Sequence, residues 1–205
     1  MVKVKVCGIT NAEDASTAVQ MGADALGFIF AKSPRRIRPQ KARDIIQRMP
    51  PFVTTVGVFV DQDLGAIRKI MEFCRLDMVQ LHGDESPAFC RKLAPHAVKA
   101  FRLKDAQSLE PMALYRGKVR ALLLDTFQEG IAGGTGATFD WRLAREAMDL
   151  GMPVILSGGL GPSNIKQAVT MVRPYAVDVN SGIEKSPGKK DPALIRALME
   201  QIQRI

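Results

Sequence analysis

This sequence predicts an α/β fold, a single-domain (β/α)8 barrel, and three observations carry that prediction. Short apolar runs recur eight times along the chain, each followed by a stretch with helical spacing or helix-ending residues. Several runs are apolar throughout, as Ala121-Leu122-Leu123-Leu124 is, which marks strands buried on both faces of a parallel sheet. No Gly-x-Gly-x-x-Gly follows the first run and no Pro/Ser-rich linker breaks the chain. That weighs against the alternative, an open doubly wound sheet, and against a second domain, so residues 1–205 are read as one barrel.

The elements follow in order. Val2, Val4 and Val6 alternate with lysines and give a strand ending at Cys7, with Gly8 as a sharp exit. Thr10 or Asn11 caps a helix over Ala12–Gly22. Ala25–Phe30 is the second strand, followed by a basic, Pro-containing loop to Pro39 and a helix over Gln40–Met49 that Pro50-Pro51 stops. Thr54–Val60 is the third strand; Leu64, Ile67, Met71 and Cys74 then recur at helical spacing. Met78–Gly83 and a helix over Ser86–Leu93 come next, then Ala97–Leu103 with a helix near Ala106–Tyr115. The sixth strand, Ala121–Thr126, stays apolar until Asp125, and a Gly-rich loop over Glu129–Ala137, suited to a lid, leads to a helix over Asp140–Leu150. Val154–Gly159 with a helix over Pro162–Val172, and Ala176–Gly182 with a helix over Asp191–Ile202, complete the eight units.

Composition bounds the function. Hydrophobic residues make up 46% of the 205, a normal globular value. No apolar run approaches the ~18 residues that span a bilayer, and the charged first strand is not the apolar core of a signal peptide. A soluble cytoplasmic protein with no membrane partner is expected. Three cysteines without Cys-x-x-Cys spacing argue against a disulfide scaffold or a structural zinc site, and Cys74 and Cys90 read as small buried hydrophobes. The net charge of +8 is not gathered into one tract; Lys32–Arg38 and Lys189-Lys190 are the densest runs, and aromatics are only 6%. A nucleic-acid face would interleave bases and aromatics continuously, so the charge is read as attraction for a small anionic substrate plus a solvated surface.

In a barrel the carboxyl ends of all strands converge on one face. Those ends carry Cys7, Phe30, Val60, His82-Gly83, Arg102, Asp125, Ser157-Gly158-Gly159 and Ser181-Gly182. The two Ser-Gly ends lie one repeat apart, after strands seven and eight, where barrels bind phosphate through closely approaching backbone amides; taken singly, each is equally a tight turn. Cys7 could face Asp125 across the mouth. Lys3 and Lys5 share the strand face of Cys7, and cationic neighbours lower a thiol from its usual ~8.5 toward useful basicity. Alone, Cys7 reads first as a small core residue and Arg36, beside Arg35 and Arg38, as a solvated loop residue, while the bland reading of Asp125 is a structural ion pair. His82 reads as a structural residue near the site, and Trp141 as packing.

One family carries the whole set in order. Lys5–Thr10, Gly27–Phe30 with Ser33–Arg36, Val56–Phe59, Val79–Gly83, Leu124-Asp125, Gly133–Gly136 with Phe139–Trp141, Leu156–Leu160 and Asp178–Glu184 together make the chain resemble phosphoribosylanthranilate isomerase of tryptophan biosynthesis. The resemblance implies a barrel that performs an Amadori rearrangement on a small phosphosugar, with no cofactor and no metal. It implies Cys7 as general base, Asp125 as general acid, Arg36 on the anthranilate carboxylate, and the backbone at Gly158, Gly159, Ser181 and Gly182 on the phosphate. It leaves monomer or homodimer open. Rival readings are a metal-dependent epimerase, which lacks its His/Asp cluster with only His82 and His96 present, an indole-glycerol-phosphate synthase, whose strand-end lysines and glutamates are missing, and a non-catalytic anion or nucleic-acid binder.

Overall fold

The computed structural model describes residues 1–126 and 141–205. Strands β1 (Lys3–Val6), β2 (Ala25–Ile29), β3 (Thr54–Phe59), β4 (Met78–Leu81), β5 (Ala97–Leu103), β6 (Ala121–Thr126), β7 (Val154–Leu156) and β8 (Ala176–Val179) form a closed parallel barrel in chain order. β8 returns to β1 with Lys5 opposite Asp178 and Val6 opposite Val179. Helices α1 (Ala12–Gln20), α2 (Pro39–Ile46), α3 (Leu64–Cys74), α4 (Pro87–Arg91), α5 (Trp141–Ala147), α6 (Ile165–Val172) and α7 (Pro192–Gln203) alternate with the strands.

The alternation of each strand divides the interior in two. One set of side chains, including Val6, Leu26, Phe28, Leu81, Leu122 and Leu124, packs against the helices in the main core. The opposite set points into the barrel. There Val98, Ala100, Ala121 and Leu123, with Met78 and Ile155, form a separate small apolar cluster on the β4–β7 side. The β8–β1 side carries Lys5 and Asp178 instead, so the barrel interior is polar on one side.

The predicted fold class is the observed one, and the differences are local. The helix predicted near Ala106–Tyr115 is a 3₁₀ segment; in an α-helix the Pro111 ring would clash with the carbonyl four residues before it. β7 and β8 stop at Leu156 and Val179, short of the predicted Gly159 and Gly182; Gly158 and Gly159 turn to φ 87° and 62°, which leaves the strand conformation. Asn11, not Thr10, caps α1, its side chain accepting from the Asp14 N–H at 2.8 Å. Thr10 donates instead to the Gly188 carbonyl at 2.5 Å. That carbonyl belongs to a hairpin the sequence reading lacked, β9 (Glu184–Ser186) with β10 (Lys189–Lys190), folded over the β8 end. The Gly-rich loop Glu129–Ala137, with its lid role, and the predicted helix start at Asp140 lie outside the described residues.

Candidate active site

A cleft opens at the carboxyl ends of the strands, and Cys7, Arg35, His82, Asp125, Gly158, Gly159, Asp178 and Ser181 all line it. β1 delivers Cys7, whose N–H continues the ladder to the Val179 carbonyl at 2.8 Å. Gly8 then leaves at φ 75°, where a Cβ would stand 2.6 Å from Asn180 Oδ1 and 2.9 Å from Arg35 Cδ. Both the backbone and the space demand glycine there.

The Cys7 thiol is not lowered, contrary to the expectation from its lysines. It is buried, and burial pushes it up more than Lys5 and Lys190 pull it down. Lys3 takes no part: it lies toward the opposite end of the strand and pairs with Asp24 at 2.7 Å. Lys5 pairs with Asp178 at 2.8 Å, both side chains nearly inaccessible to water. Burial raises the Asp178 carboxyl despite Lys5; the ammonium of Lys5 is itself raised, Asp178 and Cys7 outweighing burial.

Asp125 ends β6 inside the cleft, in register with Arg102 of β5, which lines the same cleft. Its Oδ2 lies 3.4 Å from His82 Nε2, and His82 Nδ1 lies 2.9 Å from the Gln80 amide nitrogen. With that amide donating to Nδ1, the proton of a neutral ring sits on Nε2, facing Asp125. His82, read from sequence as a structural residue near the site, therefore touches the acid directly.

Arg36 does not line the cleft. Its backbone and that of Ile37 return beside β2, with Ile37 N–H donating to Ile29 O at 2.9 Å. Ile37 is anchored in the core, and alternation of the extended chain sends Arg36 outward to solvent, away from the cleft. Arg35, one residue earlier, turns inward. Its Nε and Nη2 fork onto Glu184, the shortest contact being 2.7 Å. Glu184 also accepts from Lys190 Nζ at 2.9 Å and from the Gly188 N–H at 3.2 Å. Burial would raise this carboxyl, but Arg35 and Lys190 hold it below its usual value. Lys190, from one of the two densest basic runs, is only 2% exposed and donates to Asn180 O and Oδ1 at 3.1 and 3.0 Å.

The two Ser-Gly ends do meet. Gly158, Gly159 and Ser181 line the cleft. Gly182 does not; its α-carbon packs on the Leu160 carbonyl oxygen and Gly161, where a side chain would collide. Gly182 thus brings the loops after β7 and β8 together rather than lining the pocket. Asn164 braces the first loop, accepting from the Gly161 N–H and donating to Gly159 O, both at 2.9 Å. Cys74 and Cys90 are buried in α3 and α4, as expected. Trp141 is buried at the start of α5 and packs into the main core. Among the described residues no group of His, Cys, Asp and Glu is placed to hold a metal ion.

Comparison with known proteins gives a consistent result. A family model described as N-(5'phosphoribosyl)anthranilate (PRA) isomerase matches residues 4–201. The N-(5'-phosphoribosyl)anthranilate isomerase of Moorella thermoacetica is 50% identical over 204 residues, covering 100% of this chain and 91% of the relative; that of Trichlorobacter lovleyi is 51% identical, covering 96% and 95%. The crystal structure of phosphoribosyl anthranilate isomerase from Thermotoga maritima superposes with a TM-score of 0.93 at 43% identity over the whole of both chains. A second structure, that of the isomerase in complex with reduced 1-(o-carboxyphenylamino)-1-deoxyribulose 5-phosphate, superposes with a TM-score of 0.90 at 42% identity, again over both whole chains.

Proposed function

The chain belongs to the phosphoribosylanthranilate isomerase family, and on that premise we propose how its own residues carry out the Amadori rearrangement of that family. The reaction is the conversion of N-(5'-phosphoribosyl)anthranilate to 1-(2-carboxyphenylamino)-1-deoxyribulose 5-phosphate. The observation that carries the assignment of roles is that a thiol and a carboxylate from β1 and β6 share one cleft, bounded by Arg35 and by the glycine loops after β7 and β8.

In this reading the substrate phosphate rests on the backbone of Gly158, Gly159 and Ser181, with Gly182 fixing the spacing of the two loops. The anthranilate carboxylate pairs with Arg35, taking the role that sequence reasoning had given to Arg36. Glu184 occupies the Nε side of the guanidinium, which leaves the Nη1 edge for the substrate. Asp125 protonates the furanose ring oxygen, and the C1'–O bond breaks to give a protonated imine and a free hydroxyl. The imine acidifies the C2' proton, which the Cys7 thiolate removes; the electron pair left behind forms the enolamine, which tautomerises to the product. A thiol held above its usual range is a strong enough base for that proton, at the cost of a small thiolate fraction at neutral pH. The same reading takes residues 1–205 as one catalytic domain acting in the cytoplasm as a monomer or homodimer, without cofactor or metal.

The test is turnover. Phosphoribosylanthranilate is generated from anthranilate and phosphoribosyl pyrophosphate by the preceding transferase, and its conversion is followed by fluorescence. Cys7→Ala and Asp125→Asn should each lower kcat by ~10²–10⁴-fold with the circular dichroism spectrum unchanged. Near-native rates in both would overturn the assignment.

A further inference from the structure

We propose that Lys5 is a positioning residue for the base: anchored by Asp178 beneath the cleft, its ammonium meets the Cys7 sulfur in the space that Gly27 leaves empty. The inference rests on Cys7 being the base. The geometry comes from three strands. Lys5 and Cys7 project from the same face of β1, and Asp178 stands opposite Lys5 on β8 with 2.8 Å between the charged atoms. On the other side of β1, a Cβ on Gly27 of β2 would lie 2.6 Å from Cys7 Sγ and 3.1 Å from Lys5 Nζ. Sulfur and ammonium therefore both border the place that one methyl group would fill. Lys5 also borders the lower opening of the barrel while Cys7 and Asp178 line the upper cleft, so the pair forms the floor under the sulfur.

A structural salt bridge would not need this arrangement. A buried ion pair is seldom more stabilising than apolar residues of the same volume, and apolar residues fill the other side of this barrel. Lys5 has three donors and Asp178 Oδ1 takes one, which leaves an N–H for the sulfur. A thiolate accepts hydrogen bonds, so this ammonium favours the form that removes the C2' proton. The other charges facing Cys7 are Asp178 from β8, which opposes the thiolate, and Lys190 from β10, which favours it; Arg35 borders Gly8, while Asp125 and His82 act on Asp178 from across the cleft. Lys5 acts on the sulfur more strongly than Asp178 does.

The two members of the pair should therefore move the pH profile in opposite directions. In Lys5→Gln the limb of kcat/KM that reports the base should move up by about one pH unit, a loss of about tenfold near neutral pH that is recovered in alkali, with KM unchanged. Asp178→Asn should move the limb down. Lys5→Gln/Asp178→Asn, which keeps a neutral hydrogen-bonding pair, should still move it up, because the larger influence is lost. Gly27→Ala, which removes no charge but wedges sulfur and ammonium apart, should also move it up, and it carries the test if Lys5→Gln fails to fold. A limb that stays in place in the folded variants, or that moves the same way in Lys5→Gln and Asp178→Asn, overturns the proposal. Cys7→Ala run alongside separates the two ideas: if it retains turnover, the reading of Cys7 as base falls; if it is inactive while the limb stays fixed, only the role of Lys5 falls.

Discussion

Replacing Arg35 and Arg36 separately by alanine tests which side chain holds the substrate carboxylate. Arg35 lines the cleft, its fork fixed on Glu184, while Arg36 points to solvent from a backbone pinned beside Ile29. A hydrogen bond to a charged group contributes about 1.5–3 kcal/mol, so loss of the Arg35 contact should raise KM roughly 10- to 150-fold. Arg36→Ala removes an exposed side chain with no part in the cleft and should change KM by about twofold or less. Arg35→Ala leaves Glu184 paired with Lys190 alone, so the effect must be separated from local collapse. Arg35→Lys keeps a cation for Glu184 but loses the fork, so KM should stay raised while the thermal midpoint stays near the parent's. The assay is the coupled fluorescence measurement, with kcat and KM taken from full saturation curves. A tenfold KM increase in Arg36→Ala with none in Arg35→Ala would refute the reasoning.

Three further outcomes are expected. Because burial holds the Cys7 thiol above its ordinary range, kcat/KM should climb with pH through the neutral range by about tenfold per unit; a plateau already reached at neutral pH would contradict this. Gly182→Ala should force the loops after β7 and β8 apart, lowering the thermal midpoint by the equivalent of about 1–3 kcal/mol and raising KM; an unchanged midpoint would mean that the contact with Leu160 is not tight. The Glu184 carboxyl is lowered in the folded protein, so its contribution to stability is present above the unfolded value near 4.5 and is lost as pH falls through the folded one. Urea midpoints of Glu184→Gln should lie below the parent's at neutral pH and converge with it in acid; a constant difference would contradict the linkage.

The fold was legible because eight apolar runs and their caps repeat in register with the architecture, and local periodicity is the strongest sequence signal there is. Cys7 and Asp125 were legible by position, each closing a strand. Arg35 was not, because Arg35, Arg36 and Arg38 stand in a loop with no periodicity to say which one turns inward. What decides it is the return of Ile37 to the core beside Ile29, a contact between segments that spacing does not encode. Lys190 misled for a related reason: a two-residue strand is too short to show alternation, and its burial depends on Glu184 and Asn180 reaching it. Asp178 did leave a signal, an acid inside the apolar run Ala176–Val179, of the same kind that drew attention to Asp125.

The charge of +8 looks different once its members are placed. Read from sequence it was a solvated surface with an attraction for anions, yet Lys5, Lys99 and Lys190 are all buried, each against an acid: Asp178, Glu85 and Glu184. These pairs cost desolvation that apolar replacements would avoid, so stability does not account for them. Their locations do. Lys5 lies under Cys7, Lys190 and Glu184 hold Arg35 at the rim, and Lys99 binds the Leu81 and Gly83 carbonyls on either side of His82, the residue that touches Asp125. Lys5 thus lies beside Cys7, Lys190 shares Glu184 with Arg35, and Lys99 fixes the backbone that carries His82. A carboxylate fixes the direction of each charge, which a solvated lysine on a flexible stem would lose. Only the Lys5–Asp178 pair lies inside the barrel; Lys99–Glu85 lies outside the strands and Lys190–Glu184 in the hairpin, while the apolar side of the interior, from Met78 to Ile155, supplies packing.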